Sequence, residues 1–417
     1  MSKISLASEL KERGYIYQYS TDNLEDIFED KRVIYLGVDP NADSIHVGHL
    51  VTYMLAYHLV QAGHKMILLV GGATALIGDP SGKDAERPFQ DESEVAKNAL
   101  ALTKQIESLL KIDNIEMVNN LDWFSEINVM EFLREVGKHF TVNNMIRKES
   151  VSKRIQSENG ISFTEFAYTL LQGYDYFHLN QEKNCDLQIG GSDQWGNIVS
   201  GIELIRRKKS QEVYGITVPL LLDKNTGKKF GKSEGNAIWL DPEKTSPYVF
   251  YQFWLNIDDA NVVDYLKLFS ILSLEDIGAL ETEIKNYPEQ RKAQKTLAYE
   301  VTKFVHGENL AESVKKISEI MFSGEGLAAL SDEEKELLLK EAPSYNVSED
   351  MSLVDVLVES GLASSKRESR EFIENGAVSL NNDKIVDTMF RLNPELTRNS
   401  LAILKRGKKN KIILSFK

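Results

Sequence analysis

The sequence predicts an α/β protein with a parallel sheet, followed by an all-α part and then a small α+β part. Up to about residue 225, short apolar runs alternate with helical patterns, as they do in successive strand–helix units. From Ser246 to about Phe322 the apolar spacing is helical throughout. Beyond Ser352, a helical pattern and several apolar runs share a short basic stretch. A chain of 417 residues is long enough for roughly two to four domains.

Each apolar run of the first part is expected to be one strand of a single sheet. The five runs are Val33–Val38, Met66–Val70, Ile115–Val118, Leu187–Ile189 and Ile216–Leu222. In the helical part, we expect the core to contain Tyr248, Tyr251, Phe253, Trp254, Tyr265, Leu266 and Leu268. A Gly/Ser patch and an acidic stretch then indicate a linker with a short helix, which Pro343 ends.

Composition excludes several classes of protein. The single cysteine, Cys185, rules out a disulfide framework and a cysteine-based zinc site, and it suits a reducing compartment. No run approaches the roughly 18 apolar residues of a membrane span, and the start of the chain lacks the apolar core of a signal peptide. We therefore expect a cytoplasmic protein with no membrane partner and no protein-held metal.

The net charge of −14 hides a basic end on an acidic body. From Arg398 onward there is no acidic residue, and isoleucines and leucines interleave with the cations. This asymmetry is typical of an RNA-binding appendage, although a solubilising tail is the alternative. The interleaved apolar residues favour folded strands around a turn at Gly407. The cations of this stretch include Lys405, Arg406, Lys408, Lys409 and Lys411.

Two histidines three residues apart, His46 and His49, follow the first apolar run and open a helical pattern. Ser44 or Asp43 is the expected N-cap of that helix, and Gly63 ends it. Both imidazoles then lie on the first turn, where backbone N–H groups and the helix dipole favour phosphate. Alone, such a pair more often marks a solvated first turn.

A second constellation is Lys229-Phe230-Gly231-Lys232-Ser233, which is framed by glycines. Two lysines in such a loop suggest a mobile clamp on phosphate oxygens, although an ordinary surface turn is the simpler interpretation. Neither this segment nor the one that ends at Lys83 has the spacing of a P-loop, so a P-loop NTPase is rejected.

A polar stripe is predicted on one long helix. Tyr168, Gln172 and Asp175 stand at i, i+4 and i+7, and so they share a face. A polar stripe is usually solvated, but the other side of this helix is apolar enough to indicate burial on both faces. Buried polar groups need partners, and an amino acid with a phenolic tip would supply them.

Taken together, His-Val-Gly-His and Lys-Phe-Gly-Lys-Ser resemble the two signatures of class I aminoacyl-tRNA synthetases. The flanking segments resemble the bacterial-type tyrosyl-tRNA synthetases from end to end. These segments are Tyr35-Leu36-Gly37-Val38-Asp39-Pro40, Gly71–Thr74, Gly78–Lys83, Gln188–Asn197 and Ser246-Pro247-Tyr248.

The resemblance implies activation of L-tyrosine by ATP, with Mg²⁺ on the triphosphate and no tightly bound cofactor, and then transfer to tRNA(Tyr). It implies tyrosine-binding roles for Tyr35, Asp79, Asn120, Tyr168, Gln172, Asp175 and Gln194. Catalytic cations would be His46, His49, Lys83, Arg87, Lys229 and Lys232. The ATP site would add Asp39, Asn41, Gly48, Asp193 and Ser233. Asn41 is a departure, because the family often has Thr there; we expect Asn41 to make a changed contribution to the γ-phosphate contact.

The resemblance also implies a homodimer and five segments. They are a Rossmann-like catalytic domain (1–225), a mobile loop that carries the second signature (226–245), a helical anticodon-side domain (246–322), a linker (323–350) and a small α+β RNA-binding domain (351–417). Candidate tRNA contacts are Arg206, Arg207, Lys208, Lys366, Arg367, Arg370, Lys405, Arg406, Lys408, Lys409 and Lys411. For the run 206–209, a merely solvated face is equally possible.

Three alternatives stay open at this point. A nucleotidyltransferase acting on a small metabolite should lack both the basic module and the Tyr–Gln–Asp stripe. A non-enzymatic RNA-binding paralogue should have lost one of His46, His49, Lys229 or Lys232, and all four are present. Tryptophanyl specificity is the nearest enzymatic rival, but a carboxylate paired with Tyr35 suits a phenol better than an indole.

Overall fold

A computed structural model of the chain describes residues 4–81, 90–110, 115–157, 160–221, 230, 232–233, 236–323, 325–348, 350–407 and 410–416. The side chains of residues 149, 150, 232, 233 and 236 are not described. The chain forms two compact units. Unit 1 is Met1–Lys244 with Asp258–Ala293, and unit 2 is Thr245–Ile257 with Gln294–Lys417.

In chain order, the α-helices of the described residues are α1 (Leu6–Arg13), α2 (Leu24–Ile27), α3 (Val47–Gln61), α4 (Gly72–Ile77), α5 (Glu92–Leu110), α6 (Leu121–Phe124), α7 (Val129–Glu135), α8 (Val142–Met145), α9 (Glu149–Ile155), α10 (Phe163–Lys183), α11 (Trp195–Lys209), α12 (Pro247–Leu255), α13 (Asp259–Phe269), α14 (Leu274–Asn286), α15 (Lys292–His306), α16 (Glu308–Ser323), α17 (Asp332–Glu341), α18 (Leu353–Glu359) and α19 (Lys366–Glu374). The strands are β1 (Gln18–Tyr19), β2 (Val33–Val38), β3 (Lys65–Val70), β4 (Ile115–Asn119), β5 (Leu187–Gly191), β6 (Tyr214–Val218), β7 (Lys232–Ser233), β8 (Asn236–Ala237), β9 (Ser344–Val347), β10 (Met351–Ser352), β11 (Val378–Leu380), β12 (Asp383–Ile385), β13 (Arg391–Leu392), β14 (Leu401–Arg406) and β15 (Asn410–Phe416). No helix among them combines the length and the apolar composition that crossing a membrane requires.

The sheet of unit 1 confirms the predicted parallel α/β fold. Its order is β1-β6-β5-β2-β3-β4, and every pair is parallel except β1 with β6. The fifth predicted strand was placed too late: β6 ends at Val218 rather than Leu222. Pro219 follows it and has no backbone N–H to donate, so it ends the ladder.

Helix α3 begins where its sequence pattern predicts, but the expected cap is wrong. Its N-cap is His46, whose side chain accepts from the N–H of Gly48, rather than Ser44 or Asp43. Ser44 is buried and its hydroxyl donates to the carbonyl of Ile45, so it is committed elsewhere. The predicted stripe of α3 is buried, and Gly63 follows the helix with a φ of +91°. The buried residues of that stripe are Val47, Val51, Met54 and Leu55.

The sequence suggested that the helices of residues 246–322 form one domain. In the structure they are divided between the two units. Helices α13 and α14 belong to unit 1, whereas α12, α15 and α16 belong to unit 2. The guanidinium of Arg13, which is buried, donates to the carbonyls of Lys267, Ser270 and Leu272. The hydroxyl of Tyr15 donates to the carbonyl of Leu268 at 2.8 Å. These long-range bonds to the N-terminal segment hold the end of α13 within unit 1. Among the core residues predicted for these helices, Tyr248 and Phe253 are only half-buried and the others are buried.

Unit 2 contains a five-stranded sheet in the order β12-β11-β14-β15-β9. Alternate residues of β14 and β15 face opposite sides, as the period of a strand requires. Leu401, Ile403 and Ile413 pack with α16 and α17, whereas Ala402 and Leu404 pack with α18 and α19. The sheet therefore has a hydrophobic layer on each face.

The segment 323–350 is folded rather than a linker. It contains α17 and β9, and β9 pairs in parallel with β15. Leu327, Leu330 and Leu338 are buried. The short helix predicted in the acidic stretch is confirmed as α17, which ends before Pro343, but one side of it is in the core and so it is not part of a linker. Since β9 lies within its sheet, the terminal module begins before residue 351.

Candidate active site

Several of the predicted amino-acid-site and ATP-site residues that the structure describes follow the strands at one edge of the parallel sheet. Strands β2, β3, β4 and β5 run in the same direction, so their carboxyl ends meet there. Each end is followed closely by polar or glycine residues. These residues are Asp39, Gly71, Asn120 and Asp193.

The two histidines of the first signature lie against each other. Their ring centroids are 4.0 Å apart and the planes differ by 27°. Nδ1 of His46 accepts from the N–H of Gly48 at 3.0 Å, so the proton of a neutral ring lies on Nε2 and makes it a donor. A side chain at Gly48 would lie 2.8 Å from the ring of His46, which accounts for glycine at this position. His49 is exposed.

The segment that follows the second signature pairs with the first signature. Val47 donates to the carbonyl of Ile238 and Leu240 donates to the carbonyl of Ile45, both at 2.9 Å. The ring of Trp239 meets that of His46 edge-on, with centroids 5.9 Å apart. These contacts hold both segments together in unit 1.

Phe230 is the first residue of the second signature that the structure describes. It is buried, and its ring lies 4.6 Å from Tyr265 and 5.7 Å from Phe269. Its carbonyl oxygen would lie 3.3 Å from a side-chain carbon at Gly48. The backbone of Lys232 and Ser233 forms β7, but their side chains are not described. Lys83, Arg87 and Lys229 lie outside the described residues, so their predicted roles stay predictions.

The polar stripe of α10 is buried, as predicted, and Tyr35 of β2 lies near it. We call Tyr35, Tyr168, Gln172 and Asp175 the polar cluster. Their exposed fractions are 1%, 4%, 8% and 1% in that order. Burial and the nearby Asp175 carboxyl raise the pKa of Tyr35 well above its usual value. A side-chain carbon at Gly37 would lie 2.9 Å from the Tyr35 hydroxyl, so glycine there leaves room beside the phenol.

Asp175 is held by two donors. Nδ2 of Asn120 donates to one carboxyl oxygen at 3.1 Å, and Nε1 of Trp123 donates to the other at 3.0 Å. Burial raises the pKa of Asp175 to about 8, whereas these two hydrogen bonds lower it. Each oxygen can still accept a further bond, so the carboxyl can receive a hydroxyl from a ligand.

Asp39 joins the polar cluster to the end of β2. One of its oxygens accepts from the Tyr168 hydroxyl at 2.8 Å, and the other accepts from Thr74 Oγ1 at 2.7 Å. The Thr74 oxygen in turn accepts from Nδ2 of Asn120 at 3.1 Å, and Asn120 bonds Asp175. A continuous hydrogen-bonded path therefore runs from Tyr168 to Asp175.

Asp79 and Gln194 form a second pair. Nε2 of Gln194 donates to one Asp79 oxygen at 2.7 Å, and the N–H of Ser81 donates to the other at 2.9 Å. Asp79 also contributes to the raised pKa of Tyr168, together with burial and Asp39. A carboxylate this close to Tyr168 can attract an ammonium group.

The sequence interpretation missed Thr74 and Trp123. Thr74 belongs to the quoted segment Gly71–Thr74, so a signal was present, although nothing separated a hydrogen-bonding threonine from a helix-capping one. Trp123 lies on the single-turn helix α6, and a tryptophan there carries no pattern that distinguishes it from core. Only the fold brings it to Asp175.

The remaining ATP-site candidates lie at the open edge. Asn41 is exposed, and its side chain donates to the carbonyl of Asp39 at 3.3 Å. Asp193 is exposed at the start of the segment after β5. A side-chain carbon at Gly191 would lie 2.5 Å from an Asp193 oxygen, so glycine is needed there.

The basic run at the end of α11 is largely bonded within unit 1. Arg206 and Arg207 both pair with Glu203, and Arg207 also donates to the carbonyl of His139. Lys208 donates to Glu135 and lies 5.1 Å above the ring of Phe177. These bonds favour a structural role for Lys208 over a nucleic-acid contact.

The basic residues of unit 2 divide into two groups. Lys366, Arg367 and Arg370 are exposed on α19, and Lys366 pairs with Asp355. The guanidinium of Arg406 lies 5.0 Å above the ring of Phe372 on the same helix. This group forms a basic surface.

Lys405 and Lys411 form the second group and are bonded inward. Lys411 donates to the carbonyls of Met321 and Phe322 at the end of α16, and Lys405 donates to Asn382 at 2.6 Å. Burial lowers the pKa of both lysines. Their geometry favours a structural role over the predicted tRNA contact. Lys408 and Lys409 lie outside the described residues.

Among the described residues, no group of three or more His, Cys, Asp or Glu side chains could hold a metal ion.

Comparison with known families assigns both parts of the chain. Residues 29–323 match the model of "tRNA synthetases class I (W and Y)", and residues 334–414 match a "Tyrosine--tRNA ligase SYY-like C-terminal domain". The tyrosine–tRNA ligase of Lactococcus lactis subsp. cremoris is 47% identical over 423 residues, which covers 99% of this chain and all of the relative. That of Streptococcus pneumoniae is 49% identical over 417 residues, with 98% and 99% covered.

Solved structures give a consistent fold. A C-terminally truncated mitochondrial tyrosyl-tRNA synthetase of Aspergillus nidulans matches with a TM-score of 0.68 and 30% identity, covering 77% of this chain and 95% of that one. A tryptophanyl-tRNA synthetase of Encephalitozoon cuniculi matches with a TM-score of 0.55 at 14% identity, covering 74% and 87%, and shows the shared fold alone.

Proposed function

Because this chain belongs to the class I tRNA synthetases of the tryptophan and tyrosine group, we propose that it is a tyrosine–tRNA ligase. It activates L-tyrosine with ATP to give tyrosyl-AMP and pyrophosphate, and then transfers the tyrosyl group to the 3′ end of tRNA(Tyr). The observation that carries this proposal is identity of 47–49% to tyrosine–tRNA ligases over essentially the whole chain.

The polar cluster supports tyrosine over tryptophan and phenylalanine. The Asp175 carboxyl, with Tyr35 close by, is placed to bond a phenolic hydroxyl. Phenylalanine would leave these buried groups without that partner. Sites that bond a substrate hydroxyl reject the analogue that lacks it by about 10⁴–10⁵, a factor known from tyrosyl-tRNA synthetases themselves. At the other end of the cluster, Tyr168, Gln172 and Asp79 surround the position of the α-ammonium group. Asn120 and Gln194 hold Asp175 and Asp79 in place.

In the activation step, a tyrosine carboxylate oxygen attacks the α-phosphorus of ATP, and pyrophosphate leaves. A carboxylate is already a nucleophile, so no general base is needed. Catalysis consists of positioning and of stabilising charge on the phosphoryl oxygens. The N-terminal end of α3 supplies the positive end of its dipole and the stacked His46 and His49 for this purpose.

Further residues complete the proposed ATP site. Lys83, Arg87, Lys229, Lys232 and Ser233 would provide additional contacts with the triphosphate, with Asn41 beside it. Asp39, Gly48 and Asp193 would line the nucleoside portion. Mg²⁺ would be bound mainly by the triphosphate oxygens, where it offsets their charge.

Transfer to tRNA requires a second binding surface. The exposed face of α19 offers Lys366, Arg367 and Arg370 to RNA phosphates. Arg406 of β14 lies beside this helix, over the ring of Phe372. Arg206 and Arg207 could contribute a weaker contact from unit 1, because both are exposed although paired with Glu203.

The proposal includes a homodimer in the cytoplasm. Several large apolar side chains are exposed between residues 129 and 163 of unit 1. Apolar surface of this kind often marks an interface with another protein, and a second copy of the chain would cover it. Analytical ultracentrifugation should give twice the monomer mass. Met130→Glu, on the exposed side of α7, should shift that equilibrium toward monomer. The exposed residues are Val129, Met130, Leu133, Val142, Ile146, Ile155 and Phe163.

The deciding experiment is tyrosine-dependent exchange of pyrophosphate into ATP by the full chain. Tryptophan and phenylalanine serve as controls. Exchange with tyrosine alone, followed by charging of tRNA(Tyr), is the expected result. Exchange with tryptophan instead would assign the rival specificity, and no exchange with any amino acid would refute the activity.

A further inference from the structure

His178 on α10 lies next to Trp123, which donates to Asp175 of the polar cluster. Its imidazole stacks on the indole of Trp123, with ring centroids 4.4 Å apart and planes that differ by 26°. His178 is half-buried, and it is not among the residues that the resemblance assigns.

Trp123 connects His178 to the polar cluster, because it contacts both His178 and Asp175. Its indole N–H donates to Asp175 at 3.0 Å, and this is one of the two donors that hold the carboxyl. The direction of an N–H group depends on the plane of its ring. Rotation of the indole about its side-chain torsions would therefore turn the donor away from Asp175.

The backbone of α6 alone does not fix that ring plane, and the indole also packs in the core cluster that contains Val136 and Phe177. Trp123 lies on α6, which has only four residues and cannot be rigid by itself. Its neighbour Phe124 packs on Tyr174 with centroids 5.6 Å apart. Tyr174 and His178 are four residues apart on α10, so they lie on one face and hold α6 at two points.

Asp175 lies between Tyr174 and His178 in sequence, and it is the residue proposed to bond the substrate hydroxyl. Its carboxyl is buried, and its pKa stays within reach of ionisation because hydrogen bonds from Asn120 and Trp123 oppose the effect of burial. A displaced indole would remove one of those donors and raise the pKa further, which favours the neutral carboxyl, a weaker acceptor for the substrate hydroxyl.

We propose that His178 is a positioning residue for amino-acid selection, because its stacking fixes the Trp123 indole that orients Asp175 toward the phenolic hydroxyl of tyrosine. The role rests on the proposed function, since it concerns the same amino-acid site. It acts on the amino acid alone, because His178 is not among the residues assigned to the ATP site.

The test compares three variants of the full chain by pyrophosphate exchange. His178→Ala removes the stack, His178→Phe keeps an aromatic ring of similar area, and Gln181→Ala alters an exposed residue one turn further along α10 as the matched control. Kinetic constants are measured for tyrosine, phenylalanine and ATP.

We expect His178→Ala to raise KM for tyrosine about 10-fold, the usual size for a residue that orients a binding group. The preference for tyrosine over phenylalanine should fall by a similar factor, and KM for ATP should stay within about 2-fold. His178→Phe should recover most of the loss, and Gln181→Ala should match the parent.

Two results would overturn the assignment while leaving the ligase activity intact. One is an unchanged tyrosine-to-phenylalanine preference in His178→Ala. The other is an equal rise in KM for tyrosine and ATP, which would indicate general damage to unit 1. Failure of the proposed function is separate, because there the parent chain itself shows no tyrosine-dependent exchange.

Discussion

Asp175 in the polar cluster and Lys411 on β15 are both ionisable side chains that neighbouring groups hold in place. The burial predicted for Asp175 is confirmed, whereas the tRNA contact predicted for Lys411 stays a prediction. Asp175 lies on a buried helix face where every polar group must find a partner. Lys411 lies in a basic stretch, where an unbonded surface cation and an inward-bonded one look the same in sequence. The comparison shows that burial makes a polar pattern informative, whereas exposure leaves several uses open.

The largest effect is expected at the buried site. Asp175→Ala should lower kcat/KM for tyrosine in pyrophosphate exchange by about 10³-fold or more, because the phenol loses its main partner and the donors of Asn120 and Trp123 are left unpaired. ATP binding, measured by calorimetry, should survive. Glu182→Ala, at an exposed carboxylate of the same helix, should behave as the parent. Normal tyrosine activation by the alanine variant would remove Asp175 from the amino-acid site.

A smaller effect is expected at the exposed arginines of α19. Replacing Arg367 and Arg370 together with Gln should raise KM for tRNA about 10-fold and reduce the salt dependence of binding by about two counterions. Pyrophosphate exchange should not change. Lys340→Gln, an exposed site on α17, removes a charge from the same unit and should have little effect. If both variants weaken charging equally, net charge rather than this surface is responsible.

Two histidines of unit 1, the half-buried His58 and the buried His64, extend the comparison to the pH dependence of stability. Burial lowers the pKa of His58 and His64 to about 4. In the unfolded chain the pKa is about 6.5, so unfolding takes up a proton at each histidine between pH 6.5 and 4. Their contribution to stability is therefore complete above pH 6.5 and is lost as the pH falls.

The predicted loss of stability at low pH is tested by urea unfolding of His58→Phe, which keeps an aromatic ring beside Tyr15. Between pH 6.5 and 4, the free energy of unfolding of the parent should change by up to about 1.4 kcal/mol per pH unit more steeply than that of the variant. Asp175→Ala should differ in the opposite direction, because the raised pKa of Asp175 stabilises the fold as the pH falls. Parallel pH profiles for the parent and His58→Phe would mean that His58 is charged in the folded protein.

The smallest effect is expected at Lys411. Lys411→Gln should lower the free energy of unfolding by about 1 kcal/mol, because the carbonyls at the end of α16 lose a charged donor. KM for tRNA should stay within about 2-fold of the parent. An increase like that of the arginine variant, with unchanged stability, would return Lys411 to the RNA surface.

The fold was predictable where the spacing of apolar residues fits only a strand or only a helix. The strands β2 to β5 and the buried stripe of α3 follow from that pattern. The boundary between the units did not follow, because Arg13 holds the end of α13 through bonds that span more than 250 positions. In segment 323–350 the short helix was predicted, but the burial of its leucines and the pairing of β9 with β15 were not, because both depend on residues far along the chain.

In the site, the residues of the polar cluster were predictable, and their connections were not. Asp39 was assigned to the nucleotide from its place after β2, yet it also accepts from the Tyr168 hydroxyl. Trp123 and His178 come from elements far apart in the chain and have no shared motif. Such contacts depend on how α6 packs against α10, which spacing along the sequence does not encode.

The position of β15 has a consequence for biosynthesis. This strand lies between β14 and β9, and β9 is translated before every other strand of that sheet. On the ribosome, β9 must therefore wait beside α17 without its partner until β15 has left the exit tunnel. A nascent chain stopped before β15 would leave two further edges unpaired, one on β14 and one on β9, and cellular proteases and chaperones can distinguish such a structure from the complete one.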